Sequence, residues 1–177
     1  MQYLLKITIK KTPVWRLIAV DGSADLCFVA ELIAKSFDYS AGKRCFILNK
    51  KDRINAGTSG EPDEPRELNS FDSLGLHSGD FLEYEVNLPE KLEHVIEVMK
   101  VEDHLYCLMP SCLVGVGRLP EGELNEKSIT SFYDNDESEG LNLKEVTNRL
   151  REYGSKRSDV SKSMVKAGAE ALKFTMQ

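Results

Sequence analysis

Strict alternation of apolar and polar residues opens the chain and predicts two β-strands. One face of residues 2–10 carries every second apolar side chain, namely Tyr3, Leu5, Ile7 and Ile9. This period of two is typical of a half-buried strand. Residues 14–20 alternate in the same way, and Pro13 separates the two runs because it cannot donate to a strand ladder. The two strands are therefore expected to pair as a hairpin.

A helical period follows the hairpin. Apolar residues three and four positions apart predict a helix over residues 25–37, with Ser23 or Asp25 near its start as the cap. The stripe consists of Leu26, Val29, Ala30, Ile33, Ala34 and Phe37. Residues 45–48 predict a third strand. The polar residues 49–67, which contain glycines and prolines, predict a long exposed loop.

Residues 68–101 contribute most of the remaining predicted sheet. Residues 81–86 alternate as a strand, and residues 94–101 predict another strand after a break at Pro89. Beyond them, a short strand is expected over 105–108.

Loops and helices are predicted for the rest of the chain. Residues 110–120 are expected to form a Gly-rich loop, and residues 121–140 an acidic loop. Asn142 with Glu145 three positions later is a capping-box pattern, which predicts a helix from Leu143 to about Tyr153.

A last helix is predicted from about Asp159. Its apolar stripe consists of Val160, Met164, Ala167, Ala171 and Phe174. The stripe needs a partner surface, either on the same chain or on another one. We therefore expect two regions: a β-grasp-like α+β domain over residues 1–120, and residues 121–177 packed on that domain or on a partner.

The order of these elements predicts the fold class. Strand, strand, helix, strand, long loop and strand is the order of a ubiquitin-like, or β-grasp-like, α+β fold. The turn Leu74-Gly75-Leu76, followed by Gly79-Asp80, suits the lead-in to its last strand. A mixed sheet crossed by one helix, with extra strands and C-terminal helices, is the expectation.

Five short motifs resemble the plasmid pRi ORF-three-like family, whose members are also labelled insertion-element passenger proteins. The motifs are TPVWRLIAV at 12–20, FLEYE at 81–85, LEHVI at 92–96, PSCLVGVGRLP at 110–120 and LNLKEVTNRL at 141–150. Where the family carries acids and a Trp before the His, this chain has Glu85-Val86-Asn87-Leu88-Pro89 and Leu92. At the third strand, where the family often has His-x-His-x-Phe, it has Lys43-Arg44-Cys45-Phe46. The resemblance implies a divergent member that has lost most of any site built on those acids and histidines, and it carries no established activity.

Charge is unevenly distributed along the 177 residues, whose net charge is −6. Residues 1–60 carry a net charge of +5, residues 61–145 carry −15, and residues 146–177 carry +4. The acidic middle opposes contact with nucleic-acid phosphates, whereas the basic first third favours it. No apolar run reaches membrane-spanning length and no leader pattern opens the chain, so we expect a cytoplasmic protein with reduced cysteines.

Several residues are candidates for chemistry. His94, with Glu85 and Glu93 nearby, has the groups of a general base, although a hydrogen-bonded structural histidine explains it more simply. A metal site would use His104, Cys107 and Cys112. Gly115-Val116-Gly117 with Arg118 resembles a weak phosphate cradle. A basic patch would use Arg16, Lys43, Arg44 and Lys50, against the simpler reading of a buried Trp15 beside a structural Arg16.

Three functions remain open on the sequence. The first is a non-catalytic binding or protein-interaction module, with its ligand contacted by Arg16, Tyr84 and His94 if these share a cleft. This module would contact a protein partner or a second copy through residues 159–174. The second is a nucleic-acid-associated accessory protein, and the third is a metal-dependent hydrolase using His94 and His104. The sequence indicates no cofactor and no membrane contact.

Overall fold

The part of the chain that the computed structural model describes comprises residues 1–40, 42–59, 69–104, 106–107, 109–135 and 140–156. It contains seven strands, three α-helices and a 3-10 turn at Phe71–Leu74. The strands are β1 (Gln2–Ile9), β2 (Trp15–Asp21), β3 (Gly42–Leu48), β4 (Asp52–Ser59), β5 (Phe81–Asn87), β6 (Lys91–Glu102) and β7 (Ser111–Val116). The helices are α1 (Leu26–Ser36), α2 (Glu126–Asp134) and α3 (Leu143–Gly154).

All seven strands form one open sheet in the order β4-β3-β5-β6-β1-β2-β7. Every pairing within the described residues is antiparallel. The α+β class is therefore confirmed, whereas the predicted mixed sheet is wrong. The reason is β6, which lies between β5 and β1 and runs antiparallel to both. The finer, β-grasp-like topology is not confirmed.

The predicted hairpin and helix build the core. β1 pairs with β2, and the apolar face of β1 is almost fully buried under α1. Asp25 is the N-cap of α1, since its carboxylate accepts a hydrogen bond of 2.8 Å from the backbone N–H of Phe28. Tertiary packing of the apolar stripe, rather than helix propensity alone, holds a helix of this length in place.

The helix α3 packs against α1 and β7. Its Val146 and Leu150 are buried, and Tyr153 stacks on Phe28 of α1 with 4.9 Å between ring centroids. The hydroxyl of Thr147 bonds both the N–H and the carbonyl of Cys112. These two bonds cap backbone groups at the outer edge of β7, where a further strand would otherwise pair.

Three segments that the sequence predicts as loops are ordered elements. β4 lies within the predicted loop 49–67, β7 within the predicted loop 110–120, and α2 within the acidic stretch 121–140. β4 and β7 are the two edges of the sheet, and their pairing with β3 and β2 overrides a sequence poor in strand signals. In contrast, Tyr106 and Cys107 of the expected short strand 105–108 lie outside any strand.

The sheet face opposite α1 is half charged and half apolar. Lys10 pairs with Glu83 and Glu93 at 3.1 and 3.3 Å, and Lys91 bridges Glu93 and Glu85. Such cross-strand pairs stabilise a solvated face modestly. Apolar side chains that are 44–61 % exposed occur on β5, β6 and β7, namely Phe81, Met99, Leu113, Val114 and Val116.

The predicted last helix and its stripe, residues 159–174, lie outside the described residues. No described helix has both the length and the apolar character that crossing a bilayer requires.

Candidate functional site

A buried cluster centres on His94, in the middle of β6. The β5–β6 register places His94 opposite Tyr84, and the imidazole Nδ1 lies 3.2 Å from the carbonyl oxygen of Tyr84. The Nε2 atom lies 2.8 Å from the hydroxyl of Tyr39. Because a carbonyl oxygen can only accept, Nδ1 carries the proton, and Nε2 accepts from Tyr39. Burial lowers the pKa of His94 to about 4, so the ring is neutral at physiological pH.

Aromatic rings enclose this histidine. Its ring centroid lies 5.2 Å from that of Tyr84, 5.4 Å from that of Phe37 and 5.7 Å from that of Tyr39. The Tyr84 hydroxyl donates to the carbonyl of Ala30 over 3.2 Å, and burial raises the pKa of both tyrosines. The cluster is closed to water, with both imidazole nitrogens engaged within the protein. It has the geometry of a structural network rather than of a general base.

Arg16 joins three parts of the fold through its guanidinium. Its Nε donates to the Ser36 carbonyl at the end of α1, and its Nη1 donates to the carbonyls of Trp15 and Val116. Its Nη2 donates to the carbonyl of Gly117, at 2.8 Å. The residue is 2 % exposed. Burial lowers the pKa of Arg16 to about 10, which leaves the guanidinium charged at neutral pH.

Phe37 connects Arg16 with the histidine cluster. The guanidinium carbon of Arg16 lies 4.9 Å from the Phe37 ring centroid, a cation–π geometry. The structure thus brings together the three residues expected to share a cleft, Arg16, Tyr84 and His94, but it does so inside the core. Of the three, Arg16 alone lines an open space in the described part of the chain.

That open space is a cleft of about 1040 Å³, here called the Arg16 cleft. Its walls are the segment 37–40 after α1, the loop 118–124 after β7, and residues 140–149 at the start of α3. The apolar part of the lining comprises Phe37, Leu88, Pro89, Leu119, Pro120, Leu124, Leu141 and Val146. A volume of this size matches small-molecule sites.

Charged residues at the rim of the Arg16 cleft are mostly paired. Arg149 lies 3.5 Å from a carboxylate oxygen of Asp38 and donates through Nε to the carbonyl of Lys35. Arg118 lies 3.7 Å from Glu121. Two further lining carboxylates, Glu123 and Glu145, are exposed. The rim is thus solvated and mixed in sign, whereas the floor carries the buried cation of Arg16.

The predicted metal site does not form. His104 lies in an exposed turn, whereas Cys112 is buried on β7 and the Cys107 thiol donates to the carbonyl of Met109. Across the residues that the structure describes, no group of three or more His, Cys, Asp or Glu side chains is arranged to hold a metal ion.

The predicted basic patch is divided between surface and core. Lys43 and Lys50 are exposed, but Arg16 and Arg44 are buried, and Arg44 pairs with Glu31 of α1. Trp15, expected to be buried, is half-buried and lies under the ammonium of Lys6.

The Gly-rich segment does not present N–H groups to a phosphate in the way the sequence suggested. Its residues Val116 and Gly117 direct their carbonyls to Arg16. Gly117 has a φ of +89°, and a Cβ there would meet the Tyr133 hydroxyl. The segment therefore closes around a cation of its own chain.

Phe37, Tyr39 and Arg149 belong to the site but were not singled out from the sequence as functional. Phe37 ends the helical stripe, and Asp38, with a φ of +62°, turns the chain so that Tyr39 faces His94. The local signal for this turn is Asp38, which follows Phe37 at the end of the helix. Asp adopts the left-handed conformation more readily than most residues do. Nothing local predicts that Arg149, about 110 residues later in the chain, contacts the same turn.

Comparison with known proteins identifies the fold but no function. No family model matches the sequence, and no curated protein matches it. Among solved structures, it is similar to the crystal structure of MM3350, a protein of unknown function from Methanosarcina mazei Go1. The likeness has a TM-score of 0.54 at 15 % identity and covers 93 % of this chain and 88 % of that one. It concerns the fold alone, and the function of this chain is unknown.

Proposed function

We propose that the protein is a non-catalytic binding module that takes its ligand in the Arg16 cleft. The observation that carries this proposal is the cleft itself, about 1040 Å³, which combines apolar walls with a charged rim and has a buried cation at its floor. Ligand sites are concave, and they combine apolar surface with polar groups that orient the ligand.

The hydrolase hypothesis has less support. A general base needs a nitrogen that reaches substrate, and both nitrogens of His94 are engaged in the core. His104 lies in an exposed turn beyond the end of β6, whereas His94 is buried. The nucleic-acid hypothesis also loses support, because two of the four basic residues proposed for the patch are buried.

The domain arrangement and the fold topology are part of the same proposal. We take residues 1–120 as a β-grasp-like domain on which the following residues pack. In support, Ile129, Val146 and Leu150 join the hydrophobic cluster of the sheet. With β6 and the edge strand β7 left aside, the strand order is β4-β3-β5-β1-β2, and β1 and β5 run in the same direction because each is antiparallel to β6.

Membership in the plasmid pRi ORF-three-like family is likewise proposed. Two of the motifs that carry the resemblance are neighbours in space. The motif at 12–20 contains β2 except for its last residue, Asp21, and the motif at 110–120 contains β7, its partner strand. Arg16 of the first motif bonds the carbonyls of Val116 and Gly117 in the second. A shared structural contact of this kind accounts for both sequence patterns.

Ligand-observed NMR tests the binding proposal. A mixed library of neutral, cationic and anionic fragments is screened against the full chain and against Ser40→Trp, which places a bulky ring at the exposed rim of the Arg16 cleft. Ser155→Trp, an exposed position outside the lining, is the matched control. We expect fragments that bind the wild-type and Ser155→Trp proteins but not Ser40→Trp. A screen in which Ser40→Trp binds the same fragments as the wild type refutes the proposal.

A further inference from the structure

The guanidinium of Arg16 has no carboxylate partner within the described residues, although the residue is only 2 % exposed. Its four hydrogen bonds all go to neutral backbone carbonyls. Buried charges in proteins are normally paired, since an isolated charge in a medium of low polarisability is costly. The floor of the Arg16 cleft therefore carries a positive charge that the surrounding fold does not neutralise.

The guanidinium also retains hydrogen-bonding capacity. It has five N–H groups. One is used by Nε, two by Nη1 and one by Nη2 in the described contacts, so one N–H of Nη2 is left for an acceptor. The start of α3, which lines the same cleft at Asn142, adds the partial positive charge of a helix N-terminus.

The walls and rim restrict which anion fits. Leu88, Leu119, Leu124 and Leu141 present apolar surface to a ligand body. The rim cations Arg118 and Arg149 lie beside the carboxylates of Glu121 and Asp38. The exposed carboxylates of Glu123 and Glu145 at the same rim repel a second negative charge. A polyphosphate or a nucleic acid is disfavoured for that reason, and a single charge on an apolar body is favoured.

We infer that the Arg16 cleft binds a monocarboxylate with an apolar body. The carboxylate pairs with the Arg16 guanidinium, and the apolar body covers the leucine-lined wall. This inference rests on the proposed binding function and names its ligand class. The carboxylate belongs either to a small apolar acid or to the C-terminus of an apolar peptide.

Titrations followed by amide NMR on the full, isotope-labelled chain test the ligand class. The probes are octanoate, 1-octanol and octylamine, which share a body and differ in charge. We expect octanoate to shift the amides of Phe37, Gly117 and Leu141, and octanol to bind about ten-fold more weakly because it lacks the charge-assisted bond. Octanol or octylamine binding as tightly as octanoate overturns the inference.

A second titration, with peptides, distinguishes a small apolar acid from a peptide C-terminus as the source of the carboxylate. Acetyl-trileucine is compared with its C-terminal amide. Binding of the free acid without binding of octanoate supports the inference and assigns the carboxylate to a peptide C-terminus. Equal binding of acid and amide overturns it.

Variants at the rim test the electrostatic argument without disturbing the core. Glu123→Gln removes a repelling charge and is expected to tighten octanoate binding about two-fold, since the site is exposed. Glu152→Gln, on α3 but outside the lining, is the control and is expected to leave binding unchanged. Weaker binding by Glu123→Gln contradicts the assigned role of the rim.

Arg16→Lys tests directly whether the guanidinium holds the ligand carboxylate. We expect the affinity for octanoate to fall at least about ten-fold. If this variant does not fold, the comparison of octanoate with octanol on the wild-type chain decides. Neutral fragments that bind the cleft as well as carboxylates refute the ligand class while leaving the binding function in place. Failure of every probe and fragment to perturb the cleft refutes the binding function itself.

Discussion

The hydroxyl of Tyr39 donates to Nε2 of His94 across 2.8 Å, and the two side chains are 2 % and 0 % exposed. This bond ties the turn after α1 to the middle of β6. Since Nδ1 must donate to the Tyr84 carbonyl, the bond fixes one tautomer of a neutral imidazole. The same turn contributes Phe37 to the Arg16 contact, so the core network and the cleft share a wall.

The first prediction concerns the protonation of His94. Nitrogen NMR is expected to show a neutral ring protonated at Nδ1, unchanged from about pH 7 to about pH 5, because burial holds its pKa near 4. The His94→Gln variant assigns the signal by its disappearance. If the His94 ring becomes protonated above about pH 6, the ring is not buried and neutral as described.

The second prediction follows from the same depressed pKa. The unfolded chain binds the His94 proton near pH 6.5, and the folded chain binds it near pH 4, so acid favours unfolding. The contribution is complete above pH 6.5 and is lost as the pH falls toward about 4. We expect the free energy of unfolding to drop by about 2 kcal/mol between about pH 7 and about pH 5 from this residue.

Urea unfolding at several pH values measures this slope. The His94→Gln variant lacks the titrating group, so its free energy of unfolding is expected to vary less with pH over the same range. Parallel slopes for the wild type and the variant would show that His94 does not link folding to pH.

The third prediction concerns the phenol itself. Tyr39→Phe keeps the ring and removes the donor to Nε2, which leaves a buried acceptor without a partner. We expect a loss of about 1–3 kcal/mol in the free energy of unfolding. Tyr106→Phe, at a position that is 76 % exposed, is the matched control and is expected to be neutral. A Tyr39→Phe protein as stable as this control would argue against the hydrogen bond.

Local patterns were sufficient for part of this fold. The alternation in β1 and the stripe of α1 predicted both elements, since each buries one face against the other. The Asn142–Glu145 pattern likewise predicted the start of α3, where the Asn142 side chain accepts from the Glu145 N–H. These elements carry their own periodicity and caps.

Other parts depend on contacts between distant segments. β4 contains polar residues such as Asp52 and Arg53, and it is a strand because β3 offers it a free edge. The alternation of residues in a strand shows which side chains share a face, but not which strand lies beside it. The position of β6 between β5 and β1 could therefore not be predicted, and a mixed sheet was expected instead. The Arg16 cleft needs three separate segments, at 37–40, 118–124 and 140–149, and sequence spacing alone does not bring them together.

The fourth prediction concerns the buried ion pair between Glu31 of α1 and Arg44 of β3. Glu31→Gln leaves the Arg44 guanidinium buried without its counter-charge, and the expected cost is about 3–5 kcal/mol. Replacing both residues, as in Glu31→Leu with Arg44→Met, is expected to cost far less, because no buried charge remains. Chemical denaturation of Glu31→Leu, of Arg44→Met and of the double variant completes the cycle. Additive losses would contradict a direct coupling between the two side chains.

The fifth prediction concerns Arg16 as a connector of segments. Its guanidinium bonds carbonyls at the end of α1, on β2 and after β7, and the planar fork reaches them together. The single ammonium of Arg16→Lys cannot bond all of these carbonyls at once, so buried acceptors are left unsatisfied. We expect a loss of about 2–4 kcal/mol in the free energy of unfolding.

The matched control for that prediction is Arg53→Lys. Arg53 is exposed and pairs with the buried carboxylate of Glu85, which Lys91 also contacts, so a lysine ammonium at position 53 can replace the guanidinium. We expect Arg53→Lys to leave the free energy of unfolding nearly unchanged. Equal midpoints for the two variants in urea would mean that the carbonyl contacts of Arg16 contribute little to folding. A selective loss in Arg16→Lys would instead identify the cation at the cleft floor as part of the framework, which explains how a buried charge without a carboxylate partner is retained.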